Sequence, residues 1–272
     1  MSGVHSIDVA AIESDFSGSY VIAPDVYVCV TADGSVVLDL NRDKYLGMSR
    51  EQTELLAMAV PGWPQPIWER LPESQCLRRK SDSDAVGNAD AVCRGLVNEG
   101  LLIQSVVDEG AVAVGDEVGA GRACRNMRGE WISIGDEMEV GSVVGFGDVV
   151  NFASAFVWAR CSLAGRPFIA TVGAVRARKA ALNLELDWNP LRVAALIDVF
   201  RRLRPYVFAA EGRCLLHALT LVRFLSQYGF YPEWVIGVAT QPWGAHSWVQ
   251  WESFLLDTNP EKVCGYTPIL VV

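Results

Sequence analysis

Gly212-Arg213-Cys214-Leu215-Leu216-His217-Ala218-Leu219-Thr220-Leu221-Val222-Arg223-Phe224-Leu225 is the stretch on which the reading of this chain turns. Leu215, Leu216, Leu219, Val222 and Leu225 recur at three and four residues, the period of one helix face. Gly229 supplies the stop. Cys214 therefore falls in the first turn of a helix, where the positive end of the dipole favours thiolate over thiol. Downstream, Ala245–Trp251 and Phe254–Asp257 read as strands joined by a Glu252-Ser253 turn. A two-residue turn sets Trp251 opposite Phe254 and Trp248 opposite Asp257. Alternation then puts His246, Trp248 and Asp257 on one face, with His246 and Asp257 as diagonal neighbours. A thiol, an imidazole and a carboxylate in this order are the parts of a nucleophilic acyl-transfer site. His246 takes the proton in a thiolate–imidazolium pair, Asp257 fixes the imidazole, and the Cys214 N–H offers an oxyanion donor. His217, one helical turn from Cys214, is a rival base, but no carboxylate is expected to orient it, so it reads as a helix-surface or core residue. Trp248, with Trp243 and Trp251, is a candidate wall for a substrate groove, against core packing as the alternative.

Composition narrows the setting. The chain has 272 residues, 51% hydrophobic and 20% charged, enough for two domains. Seven cysteines without a CxxC pair argue against a disulfide framework or a structural zinc site and fit a reducing cytoplasm. Cys29, Cys93, Cys161 and Cys264 are expected to pack in the core. No apolar run is long enough to span a bilayer, and the first residues lack a secretory pattern. The net charge of −9 falls entirely within residues 1–110, while 111–272 is neutral. An acidic front half excludes ordinary nucleic-acid binding, which rests on basic groups. No phosphate-cradling motif occurs, and neither metal nor cofactor is expected.

The front half begins with a loose tail. From Tyr20 it reads as a three-stranded meander: Val26–Val30, a turn at Asp33-Gly34, Ser35–Leu40, a turn at Asn41–Lys44, then Tyr45–Met48. Ser49 and Gln52 form a capping box for a helix ending at Pro61-Gly62. A short helix is possible at 67–71. Another helix starts near Asp82, buries Val86, Ala89, Val92, Leu96 and Val97, and closes at Gly100, with Leu101–Ile103 packed behind it. Residues 109–147 are glycine-rich and read as a linker, with a possible short strand around Trp131–Ile134. Helical periods follow: one from Asp148 to Gly165, one opened by Arg166-Pro167, and one capped by Asn189-Pro190. The basic residues closing the last two, Arg176, Arg178 and Lys179, then Arg201, Arg202 and Arg204, suit the negative ends of helix dipoles.

Two resemblances follow from these motifs. VCVTADGSVVLDLNRDKYLGMS followed by two helices and NEGLL resembles the winged-helix-like precursor-recognition domain of ribosomally made peptide natural products, here at 18–108. That resemblance implies that a leader peptide adds as a strand to Tyr45, Leu46, Gly47 and Met48, against Val92 and Leu96 of the helix. GRCLLHALTLVRFL, AHSWVQ, LLDTNP and GYTPIL, within 148–272, resemble the transglutaminase-like superfamily, and in it the leader peptidases of lasso-peptide biosynthesis. Ser247 and Gln250 depart from the small and acidic residues common there. The implied fold is α+β: a recognition module of three strands and three helices, then a helical bundle packed on a small antiparallel sheet. The implied function is a cytoplasmic Cys214-His246-Asp257 cysteine peptidase that removes the leader of a lasso-peptide precursor. Its implied partners are that precursor and an asparagine-synthetase-like, ATP-dependent cyclase. The alternatives are a non-catalytic peptide-binding scaffold and a thioester-forming acyltransferase on the same fold.

Overall fold

A computed structural model describes residues 19–66, 68, 82–105, 132–133, 141–181, 189–208 and 213–272. The expected N-terminal tail, the helix at 67–71 apart from Trp68, most of the glycine-rich stretch, and Gly212 lie outside the described residues. So does the side chain of Val86. The described residues fall into two compact units.

In the N-terminal unit, β2 (Val26–Thr31), β3 (Gly34–Asp39) and β4 (Lys44–Met48) form a sheet in that order, which leaves β4 at an edge. Thr31 pairs with Gly34, so the tight turn is Ala32-Asp33, one residue earlier than expected. Gly34 is needed for a different reason. Its φ is +146°, and a Cβ there would sit 1.9 Å from the Met48 carbonyl oxygen, so only glycine lets these backbones approach. Ser49 caps α1 (Arg50–Ala59) with the expected capping box: its hydroxyl accepts the Gln52 N–H, and the Gln52 side chain accepts the Ser49 N–H at 3.0 Å. Helix α2 (Asp82–Asn98) ends at Gly100, whose φ of +70° lets the Leu101 N–H reach back to the Leu96 carbonyl at 2.8 Å.

Leu101–Ile103 does more than pack behind α2. It leads into β5 (Leu102–Ser105), which pairs antiparallel with β1 (Ser19–Ile22). The Tyr20 hydroxyl donates to Asp90 at 2.6 Å and ties this ribbon to α2. That hydrogen bond, with burial, pushes the Tyr20 pKa up to about 12. Tyr20, Leu56, Trp63, Cys93, Leu96 and Leu102 lie in one buried cluster. Each large apolar side chain there contributes roughly 1.5–3 kcal/mol.

The C-terminal unit contains α3 (Phe146–Gly165), α4 (Phe168–Ala181), α5 (Pro190–Leu203) and α6 (Cys214–Ser226). They accompany a five-stranded sheet ordered β10-β7-β8-β9-β6. Asn189 caps α5 by accepting the Arg192 N–H. Strands β7 (Glu233–Thr240) and β8 (Trp243–Trp251) are antiparallel, with Thr240 opposite Trp243. The turn is therefore Gln241-Pro242, and β8 starts two residues before Ala245. The next turn, Glu252-Ser253, sets Trp251 opposite Phe254 of β9 (Phe254–Leu256) as the register argument requires. Strand β10 (Thr267–Val271) borders β7. Ile132–Ser133, from the glycine-rich stretch, forms β6 and runs parallel to β9. The Ser133 hydroxyl holds it there by donating to the Thr258 carbonyl at 3.2 Å.

Cys29 and Cys93 are buried, as expected, whereas Cys161 and Cys264 are exposed. Cys161 misses the inward face of α3, which is set by Phe152, Ala155, Ala159 and Ser162. Cys264 follows the short helix α7 (Pro260–Val263), whose buried residue is Val263. Among the described residues, no helix is long and apolar enough to cross a membrane.

The close approach at Gly34 makes a prediction. Gly34→Ala should destabilise the protein by about 2–4 kcal/mol through backbone strain and overlap. Gly47→Ala on β4, where a Cβ meets nothing within 4 Å, should change little. Thermal denaturation followed by circular dichroism compares the two, and equal melting temperatures would refute the close-approach account.

Candidate active site

Cys214 is the first residue of α6, partly exposed, with Arg213 at the N-cap. As the first helical residue it has an N–H with no intrahelical acceptor, the property required of an oxyanion donor. Helix α6 buries its opposite face through Leu216, Leu219, Val222 and Leu225, and it packs against both β8 and α3.

His246 lies in the middle of the β7–β8 hairpin, opposite Gly237. A Cβ at Gly237 would come within 2.7 Å of the Trp248 ring, so this glycine makes room for the indole beside the histidine. The His246 ring stacks on Trp248 at 6.1 Å and lies 5.2 Å from the Tyr266 ring. Its Nε2 is buried without a hydrogen-bond partner. Burial, then the charges of Lys262 and His217, lowers its pKa below the usual histidine value. That shift favours the neutral imidazole over its charged form.

Trp248 is 3% exposed and packs with Val235, Leu255 and Val263. It supports His246 from within the core instead of walling an open groove, because Gly237 gives its ring an interior seat. Its Nε1 donates to Gln250 Oε1 at 2.8 Å, and Gln250 Nε2 donates to Glu233 at 2.9 Å. On the other face of β8, Ser247 accepts from Trp234 Nε1 at 2.8 Å. The two residues that depart from the family pattern are therefore both built into the sheet.

Asp257 is arranged differently from the register argument. The β8–β9 ladder ends at Val249 opposite Leu256, and Asp257 turns out of the strand with φ +59°. Aspartate tolerates this left-handed conformation better than most residues. Its carboxylate, 1% exposed, accepts from Arg201 Nε at 2.6 Å and Arg204 Nη1 at 2.9 Å. His217 Nε2 lies 3.1 Å away, an ion-pair contact whose angle falls outside hydrogen-bond geometry. Burial pushes the Asp257 pKa up, but His217, Arg204 and Arg201 outweigh it and hold the carboxyl below its usual range. Asp257 therefore contacts His217, not His246, because two guanidiniums and the left-handed turn draw it towards α5 and α6.

Two expectations are corrected here. His217 does have a carboxylate beside it, and its ring is packed between Phe200 and Phe208 at 5.3 and 5.2 Å. Arg201 and Arg204 do more than neutralise a helix end, since they hold Asp257. Only Arg202 stays within its own helix, 3.1 Å from Asp198. The spacing of His217, three residues after Cys214, was the available signal. Its partner, forty residues on, left no trace in local pattern.

Of the front-half residues, Tyr45, Leu46, Gly47 and Val92 are at least partly exposed, with Leu46 at 42%. Met48 and Leu96 belong to the buried cluster instead, facing the core by alternation and by helical period. Among the described residues, no group of His, Cys, Asp and Glu has the geometry to hold a metal ion.

No curated protein and no solved structure matches the chain. Residues 153–271, the span that holds Cys214, His217, His246 and Asp257, match the family model of the transglutaminase-like superfamily, so the C-terminal unit is a transglutaminase-like domain.

Proposed function

We propose that this protein is a cysteine peptidase that removes the leader peptide from a lasso-peptide precursor. The observation that carries this reading is a thiol opening a helix that packs on the strand of a half-buried histidine whose Nε2 has no hydrogen-bond partner. In this reading His246 accepts the Cys214 proton as the sulfur attacks the scissile carbonyl carbon. The Cys214 N–H stabilises the oxyanion. The imidazolium then protonates the departing amine as the C–N bond breaks, leaving a thioester. Water, deprotonated by His246, hydrolyses that thioester and restores the thiol.

The proposed division of labour has 18–108 holding the leader, 109–147 linking, and 148–272 cutting. The exposed Leu46 and Gly47 and the partly exposed Tyr45, on a strand that is at the edge among the described residues, support leader capture by strand addition. An asparagine-synthetase-like cyclase, in the cytoplasm, then consumes the freed amine. A second reading is favoured by the 3.1 Å contact of His217 with Asp257: His217 acts as the base in place of His246.

Cleavage of a synthetic precursor, followed by mass spectrometry, tests both. Cys214→Ala should abolish cutting, and His246→Gln should reduce kcat by roughly 10²–10⁴. If His217→Gln has that effect and His246→Gln does not, the second reading holds. Release of a leader amide of an added amine, in place of a free acid, would mark an acyltransferase.

The pH profile gives a further test. A base must be neutral, so the lowered pKa of His246 should put the acid limb of kcat/KM below the ordinary histidine value of about 6.5. His217 is one cause of that lowering, so His217→Gln should move the limb upward. An unmoved limb would assign His217 a purely structural part.

Stability has its own signature. Asp257→Asn should cost about 2–4 kcal/mol, because it leaves two partly exposed arginines without their carboxylate. The folded pKa of Asp257 is depressed, so this stabilisation is complete above the usual carboxylate value of about 3.9. It is lost as pH falls through the lower folded value. The gap in denaturation midpoint between wild type and variant should therefore close in acid, and a gap independent of pH would refute the linkage.

A further inference from the structure

The far end of the Cys214 helix carries a second arrangement of arginines, and nothing in the peptidase mechanism uses it. Arg178, in the last turn of α4, and Arg223, in the last turn of α6, line one hollow with Trp158, Val175, Tyr231 and Pro232. The Nε atoms of both arginines are buried without a hydrogen-bond partner. Among the described residues neither guanidinium has an ion pair, and the hollow has no acidic lining.

Two like charges meeting at a half-buried hollow, with the exposed Lys179 a third cation on its wall, are an unfavourable arrangement that an anion relieves. Burial first, and then the Arg178 charge, lowers the Arg223 pKa. The positions are held nonetheless. The Arg223 guanidinium lies 5.3 Å from the Trp158 ring centroid, which fixes it by cation–π attraction. Tyr231 is anchored by donating to the Ser226 carbonyl at 3.1 Å. The helix-end explanation for Arg178 does not account for a buried Nε without a hydrogen-bond partner.

We propose that Arg178 and Arg223 form a binding site for a small oxyanion group, a carboxylate or a phosphate, borne on a short apolar stem. A guanidinium offers a planar fork of N–H donors that matches paired anionic oxygens. The Val175 and Pro232 walls accept the stem. Nine residues separate Cys214 from Arg223, about 13 Å along a helix at 1.5 Å per residue, so the site is remote from the thiol.

Isothermal titration of the full chain with inorganic phosphate and with butyrate tests this. At least one anion should bind in the millimolar range, and Arg178→Gln/Arg223→Gln should weaken it about tenfold or more. Tighter binding of butyrate identifies the group as a carboxylate, and tighter phosphate identifies a phosphoryl group. In anion-free buffer the double variant should melt no lower than wild type, since a repulsion has been removed. Arg178→Lys keeps the charge but not the fork, and should lose affinity with its melting temperature unchanged. Cys214→Ala should bind normally, which separates this site from the peptidase reading. Absence of binding by both anions, or undiminished binding by the double variant, would overturn the proposal.

Discussion

The carboxylate of Asp257 is the knot of the C-terminal unit. It is the first residue past a short strand, yet its partners come from the end of α5 and the start of α6. A buried carboxylate is expensive to desolvate, and one hydrogen bond does not repay that cost. Two guanidinium contacts and an imidazole do, which is why its pKa falls despite burial. The same contacts fix where α6 begins relative to β9. The position of the Cys214 thiol against the sheet therefore depends on an interaction that does not touch the sulfur.

That dependence divides the work of two histidines. His217 is packed between phenylalanines and faces a charged network, so its surroundings are structural and electrostatic. His246 instead has a buried Nε2 without a hydrogen-bond partner and a pKa lowered first by burial. Strand alternation makes this possible. Along β8, His246, Trp248 and Gln250 share one face, and their successive packing and hydrogen bonds run to Glu233. Ser247 on the opposite face serves the core through Trp234. A strand of nine residues thus presents His246, Trp248 and Gln250 on one face and packs Ser247 from the other.

The features legible in the amino-acid sequence were those encoded over a few residues. The helix beginning at Cys214, the Ser49 capping box, the Asn189 cap and the Glu252-Ser253 register all follow from period and turn chemistry. Gly34 was noticed as a turn residue, but its contact with Met48 is a packing fact that no local pattern contains. The β1–β5 pairing joins segments some eighty residues apart, and β6 reaches β9 across more than a hundred. Such partners are chosen by tertiary closure, not by propensity. Asp257 contacts His217 in place of the expected His246, and the left-handed backbone that redirects it has no signature beyond the residue type itself.

The two arginine pairs make the same point about charge. Both end helices, and a dipole argument treats them alike. Arg201 and Arg204 converge on a carboxylate supplied by the chain, so their convergence is balanced within the fold. Arg178 and Arg223 line one hollow in which no described residue is acidic. Packing alone does not explain the difference, since a glutamine fills comparable space without a second charge. Where two cations share a hollow and no described residue supplies an anion, the proposed complement is a ligand, and the geometry of the donors says what chemical form it takes.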